Sequence, residues 1–310
     1  MTSGPGGSHT VVLCVGEPIV ALTPPVGLTL QSAPDLLVST GGAEVNVAVA
    51  LSRLGVPSRF VGRVGDDPFG HRVRADLIAA GVDTRYVEVD QDAPTGLYLK
   101  DPLHPVTKVH YYRRGSAATR QWRVPAAAMA GVGHIHLTGI TPALSPSCAE
   151  LVETLLETTD ATVSFDVNFR PALWAAAAAA PILLRLAARA QLVFVGLDEA
   201  ALLWGASAPE AVRELLPEVP ELVVKNGGDP AAAFTTGRRV DVAVPPVEIV
   251  EPIGAGDAFA AGYLAARLAS AEPTSALRSA HSLAASVLGV RGDHDSAGAQ
   301  PHLVIASNNG

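Results

Sequence analysis

The chain is 310 residues long, with 48% hydrophobic and 17% charged residues and a formal net charge of −8. That is ample material for a buried core and excludes a disordered chain. The acidic balance argues against a nucleic-acid binder, which needs a basic face to displace counterions. Cys14 and Cys148 are the sole cysteines and lie far apart, which fits free thiols in a reducing compartment and offers no zinc motif. No apolar run reaches membrane-spanning length, and residues 1–10 form a Gly/Ser-rich tail without the basic and apolar regions of a signal peptide. The expectation is a soluble cytoplasmic protein with no membrane partner, its flexible tails at 1–10 and 300–310.

In chain order, apolar β-rich runs alternate with helical stretches. Strands are predicted at Val11–Val15, Arg59–Val64, His134–Leu137, Thr162–Val167, Leu192–Val195 and Glu221–Val224. Helices are predicted at Glu44–Leu54, Pro68–Ala80, Pro146–Glu157, Pro181–Ala188, Pro209–Leu216, Asp257–Leu268 and Thr274–Leu288, with the alanine run 175–180 leading into the fourth. Such βα alternation implies an α/β domain over 11–295 with a mostly parallel central sheet flanked by helices. The texture changes between Tyr86 and Arg114, where strand-like runs follow one another without helices. With residues 17–40 this stretch is expected to form a small β-sheet lid.

Two segments carry chemistry. In Glu251-Pro252-Ile253-Gly254-Ala255-Gly256-Asp257 a glycine turn leads into a helix. Glycines there let backbone N–H groups face an anion at the positive end of the helix dipole. Asp257 is then placed to accept a proton from an alcohol while the Gly254-Ala255-Gly256 turn stabilises charge on a transferring phosphoryl group. Taken alone, the same pattern also describes an ordinary N-terminal helix cap. At the other end of the chain, Gly41 and Gly42 open a helix that Gly55 closes, and Asn46 sits in its first turn.

Together, in this order, the two segments resemble the signatures of the PfkB, or ribokinase-like, sugar kinases. Further pieces are similar to the 2-keto-3-deoxygluconate kinase branch of that family: Gly16-Glu17-Pro18, Tyr111-Tyr112-Arg113-Arg114-Gly115, Asp166-Val167-Asn168-Phe169-Arg170 and Arg291-Gly292-Asp293. The resemblance spans about residues 11–295. It implies a ribokinase-like fold with ATP and magnesium as cofactors and a small-molecule sugar acid as substrate. It also implies a homo-oligomer formed through the lid.

By the same resemblance, Gly41, Gly42, Asn46, Tyr98, Tyr111, Tyr112, Arg113, Arg170 and Asp293 would hold the sugar. Asn168, Arg170, Lys225, Gly227, Gly254, Gly256 and His281 would lie near the nucleotide, and Glu199 would order hydrated magnesium. Tyr111 and Tyr112 alternate on one strand, so one ring can serve the core while the other faces outward. Two arginines suit a carboxylate, since the guanidinium fork matches it through parallel hydrogen bonds.

The chain departs from the family pattern in three places. The usual Asn-x-x-Glu element is Gly196-Leu197-Asp198-Glu199, Glu251-Pro252 stands where an acid and a threonine are usual, and His281 stands where Asn is common. The alternatives to the sugar-acid kinase are another sugar kinase of the family, such as a fructokinase or ribokinase, and a non-catalytic sugar-binding regulator. A dinucleotide dehydrogenase would need a ribose-binding acid on a strand after Leu268, and no such strand is predicted.

Overall fold

The computed structural model describes residues 10–103, 106–120, 122–247 and 253–289. Its backbone is a nine-stranded sheet in the order β13-β12-β11-β10-β9-β8-β1-β4-β5. Seven of the strands run parallel: β1 (Val11–Val15), β4 (Ser58–Gly65), β5 (Asp83–Asp90), β8 (Val132–Thr138), β9 (Thr162–Asp166), β10 (Leu192–Gly196) and β11 (Glu221–Lys225). An antiparallel hairpin, β12 (Ala231–Thr235) and β13 (Arg238–Val242), closes one edge through the two-residue turn Thr236-Gly237.

Parallel strands need crossovers, and helices supply them on both faces. One face carries α1 (Ala43–Arg53), α2 (Pro68–Ala79), α7 (Ala255–Leu268) and α8 (Pro273–Leu288), and the other α3 (Pro146–Thr158), α4 (Ala176–Ala187), α5 (Leu197–Trp204) and α6 (Pro209–Leu215). Successive residues of β1 feed opposite cores. Val12 and Cys14 join the α1/α7 side, while Leu13 and Val15 join the α3/α4 side. Helix α7 is buried from Asp257 to Ala266, with Phe259, Tyr263 and Leu264 set among alanines and Gly262. At Gly262 an added Cβ would lie 2.8 Å from the Ser279 carbonyl oxygen, so glycine sets how closely α8 can approach.

A second sheet, in the order β3-β2-β6-β7, is built from β2 (Ile19–Thr23), β3 (Leu37–Gly41), β6 (Leu97–Leu103) and β7 (Val106–Tyr112). Its outer pairs are antiparallel, and β2 pairs with β6 in parallel. Ile19, Ala21 and Tyr98 form a small cluster of their own on one of its faces, with Val109 and Tyr111 packed against them.

The fold is the ribokinase-like α/β arrangement expected, with three differences in detail. Residues 86–90 belong to the large sheet, because β5 completes a β4-α2-β5 crossover parallel to β4. Val87-Glu88-Val89-Asp90 alternates apolar and acidic residues as a lid strand would, which is why the sequence misleads there. Helix α4 starts at Ala176 and holds Pro181 inside it, the run of alanines before the proline, the strongest helix formers, offsetting the hydrogen bond the proline cannot make. Helix α5 and the β12-β13 hairpin are elements the sequence reading lacked. Among the described residues, no helix is long and apolar enough to cross a membrane.

Candidate active site

The carboxyl ends of β1, β8, β9, β10 and β11 open onto one cavity of about 1170 Å³, the usual location for ligands in an open parallel sheet. The N-termini of α1 and α7 converge there, and the small sheet walls it from the other side with Ile19, Tyr98, Val109 and Tyr111.

Asp257 lies in the first turn of α7 and is buried. Its Oδ2 accepts a hydrogen bond from Asn46 Nδ2 at 2.8 Å, and its Oδ1 accepts one from Asn168 Nδ2 at 3.1 Å. Asn46 comes from the first turn of α1. Asn168 follows β9 with φ of 41°, a left-handed conformation that asparagine tolerates better than most residues. Gly254, with φ of 87°, is the N-cap of α7, and both Gly254 and Gly256 line the cavity. The first amides of a helix have no intrahelical acceptor, so an anion can take them. Burial raises the Asp257 pKa from 3.8 to about 6, against the opposing effects of the Asn46 hydrogen bond and the Arg170 charge. Asn46 Oδ1 is buried without a hydrogen-bond partner.

A charged wall stands on the β9-β11 side. Lys225 Nζ donates to Asp166 Oδ1 and Oδ2 at 3.0 and 2.8 Å. Arg170 Nη1 lies 3.7 Å from Glu199 Oε1, and Glu199 Oε2 accepts the Gly196 backbone N–H at 2.9 Å, capping α5. Burial works against the charge on Lys225, but Asp166 and Glu199 outweigh it and hold its pKa above the ordinary lysine value. Burial raises the Glu199 pKa, with Lys225 opposing it.

On the floor, Glu44 Oε1 accepts from Thr138 Oγ1 at 2.7 Å and Thr141 Oγ1 at 2.8 Å, joining the start of α1 to the end of β8. Burial pushes its pKa up to about 7, with the threonine hydrogen bonds opposing. At the small sheet, the buried Glu17 carboxylate accepts from Arg113 and, at 2.9 Å, from Ser116 Oγ. The Arg113 guanidinium lies 5.2 Å from the centre of the Tyr111 ring, and its Nε is buried without a partner.

The expected site residues that meet at this cavity are Gly42, Asn46, Tyr98, Tyr111, Arg113, Asn168, Arg170, Glu199, Lys225, Gly227, Gly254, Gly256 and Asp257. Four do not line it. Gly41 is the buried end of β3 and Ala255 is tucked into the α7 turn. Tyr112, next to Tyr111 on β7, points the other way and is 66% exposed. His281 is turned into the α7/α8 packing, where its Nε2 meets the Val242 carbonyl at 3.0 Å and its ring stands edge-on to Phe259. Asp293 and the Glu251-Pro252 pair lie outside the described residues. Conversely, Glu17, Glu44 and Asp166 belong to the site without having been assigned to it. A carboxylate within each glycine-bearing or strand-end motif was the available signal.

Among the described residues, no group of three or more His, Cys, Asp or Glu side chains forms a metal cage. Glu199 and Asp198 both reach the cavity. That donor set fits magnesium, which keeps most of its water and is commonly shared with substrate phosphates.

This geometry defines a small-molecule site in which a carboxylate stands beside a helix-terminal anion turn. The chain belongs to the pfkB family of carbohydrate kinases, whose model matches residues 9–299. It is 33% identical over 300 residues to a 2-dehydro-3-deoxygluconokinase of Thermoproteus tenax, covering 94% of this chain and 92% of the relative. It is 34% identical over 269 residues to a 2-dehydro-3-deoxygalactonokinase of Haloferax volcanii, covering 83% and 84%. Among solved structures, a PfkB protein from Polaromonas superposes with a TM-score of 0.83 at 30% identity, covering 91% of this chain and 96% of that one. A putative ribokinase II from E. coli in complex with ATP and magnesium superposes with a TM-score of 0.82 at 25% identity, covering 92% and 94%.

Proposed function

We propose that this carbohydrate kinase transfers the γ-phosphoryl group of ATP to the terminal (C6) hydroxyl of 2-keto-3-deoxygluconate, giving 2-keto-3-deoxy-6-phosphogluconate. The observation that carries the chemistry is the Asp257 carboxylate, fixed by Asn46 and Asn168 beside Gly254 and Gly256. Asp257 takes the hydroxyl proton as the sugar oxygen bonds to phosphorus and the bond from phosphorus to the bridging oxygen breaks, releasing ADP. A base with a pKa near 6 is ionised at neutral pH yet basic enough to assist the transfer. The unpartnered Asn46 Oδ1 is available to accept from a sugar hydroxyl.

The sugar-acid assignment is supported by Arg113 and Arg170 in one cavity with Tyr98 and Tyr111, and by the relatives named for 2-dehydro-3-deoxy sugar acids. Arg113 brings an unused Nε donor to that wall. Magnesium, when bound, neutralises charge between the phosphates, and Glu199 is the carboxylate that would hold its hydration shell. Gly227, after the β11 strand, serves the nucleotide side.

The 2-dehydro-3-deoxygalactonokinase relative supports a second reading, in which the epimeric sugar acid is the substrate. Turnover with ATP across gluconate- and galactonate-derived keto-deoxy acids, fructose and ribose tests both. A preference for a neutral sugar overturns the sugar-acid reading, and sugar binding without any turnover overturns the kinase reading.

A further inference from the structure

Lys225 ends β11 with its side chain largely covered, and Asp166 is almost wholly buried beside it. A lysine ammonium has three N–H donors, and two are taken by the Asp166 oxygens. Nζ faces the cavity, and a Cβ built on Gly256 would lie 3.6 Å from it with no other atom within 4 Å. The ammonium therefore stands directly across a small open space from the anion turn that Asp257 borders. A buried ion pair is an expensive way to fill a core, and an apolar pair of similar volume is often as stable or more so. Its position at the cavity wall points to chemistry.

We propose that Lys225 is a catalytic residue, its ammonium contacting the non-bridging oxygens of the phosphoryl group in transit and Asp166 acting as its positioning residue. This rests on the kinase reading above. Lys225 keeps its proton throughout. The hydroxyl proton goes to Asp257, the new bond is from sugar oxygen to phosphorus, and the broken bond is from phosphorus to the bridging oxygen of ADP. Charge moves outward onto the leaving and equatorial oxygens during transfer, so a fixed cation on that side favours the transition state over bound ATP.

The test compares Lys225→Met with the wild type in turnover, in ADP affinity, and in affinity for ADP with magnesium and aluminium fluoride in the presence of sugar acid, the fluoride standing in for the planar phosphoryl group. The expected result is a fall in kcat of roughly a hundredfold or more, a comparable loss of fluoride-complex affinity, and ADP affinity within about threefold of wild type. Because Lys225→Met strands Asp166, the double variant Lys225→Met/Asp166→Asn is measured beside it, with kcat expected to match the single variant. The proposal is overturned if kcat is kept, if ADP affinity falls as far as kcat, or if neither variant folds well enough to bind ADP. A wild-type protein that phosphorylates no sugar or sugar acid overturns the kinase reading itself.

Discussion

Asn46 and Asp257, 211 positions apart in the chain, meet at 2.8 Å across the floor of the cavity. That contact joins the first turns of α1 and α7 and lets each helix fix the other's functional group. With Asn168 on the second oxygen, the carboxylate has one orientation open to a substrate.

Replacing Asp257 with Asn should lower kcat by roughly a hundredfold to ten-thousandfold, the range for a lost general base, while sugar and nucleotide still bind. The same change has a signature in stability. The folded-state pKa of about 6 lies above the ordinary 3.8, so the stability this group contributes is full below pH 3.8 and is lost as pH rises through 6. The unfolding free energy of the variant relative to wild type should therefore climb between pH 4 and 7, by an amount on the order of 3 kcal/mol at most. A flat difference across that window, together with retained turnover, removes Asp257 from the mechanism.

The rate should also separate Asp257 from Glu44. Below about pH 6, kcat/KM should fall close to tenfold per pH unit as Asp257 takes up its proton. The Asp257 charge is one of the influences raising Glu44, after burial, so Glu44 takes up its proton first as pH falls and is neutral where Asp257 titrates. A Glu44→Gln variant should therefore leave the acid limb in place. A limb that moves toward lower pH, in a variant that still folds, means that Glu44 carries charge beside Asp257.

The parts of the fold legible in the sequence were those governed by local pattern. The apolar runs of β1 and β10 and the glycine turns before α1 and α7 announce themselves. What was hidden depends on partners distant in the chain. Residues 86–90 read as lid because their sequence alternates apolar and acidic residues, and pairing with β4 is what places them in the large sheet. His281 has a polar ring suited to a ligand, yet the Val242 carbonyl and Phe259 claim it from within the fold. Glu17, Glu44 and Asp166 stood inside motifs that drew notice for their other residues, and burial beside a cation or paired hydroxyls is what distinguishes them.

Arg113 keeps a donor, its Nε, that its pairing with Glu17 leaves unused. Lysine at this position keeps the charge and loses the planar fork. Arg113→Lys should cost about 1 to 3 kcal/mol in kcat/KM toward the sugar acid, and far less toward a neutral ketose. Steady-state kinetics with both substrates decides the matter, and an equal loss on acid and ketose would show that Arg113 only braces the small sheet.

Tyr111 and Tyr112 make a paired experiment on one strand. Tyr111 lines the cavity, its ring 5.8 Å from that of Tyr98, whereas Tyr112 is 66% exposed on the opposite face. Tyr111→Ala removes an aromatic wall from the sugar side and should raise KM by roughly tenfold or more, given the 0.5–1.5 kcal/mol typical of an aromatic pair plus the lost buried area. Tyr112→Ala should stay within about twofold of wild type, as surface changes generally do. If instead Tyr112→Ala carries the larger KM effect, the face of β7 that meets the substrate is the opposite one, and the sugar site built on Tyr98, Tyr111 and Arg113 is wrong.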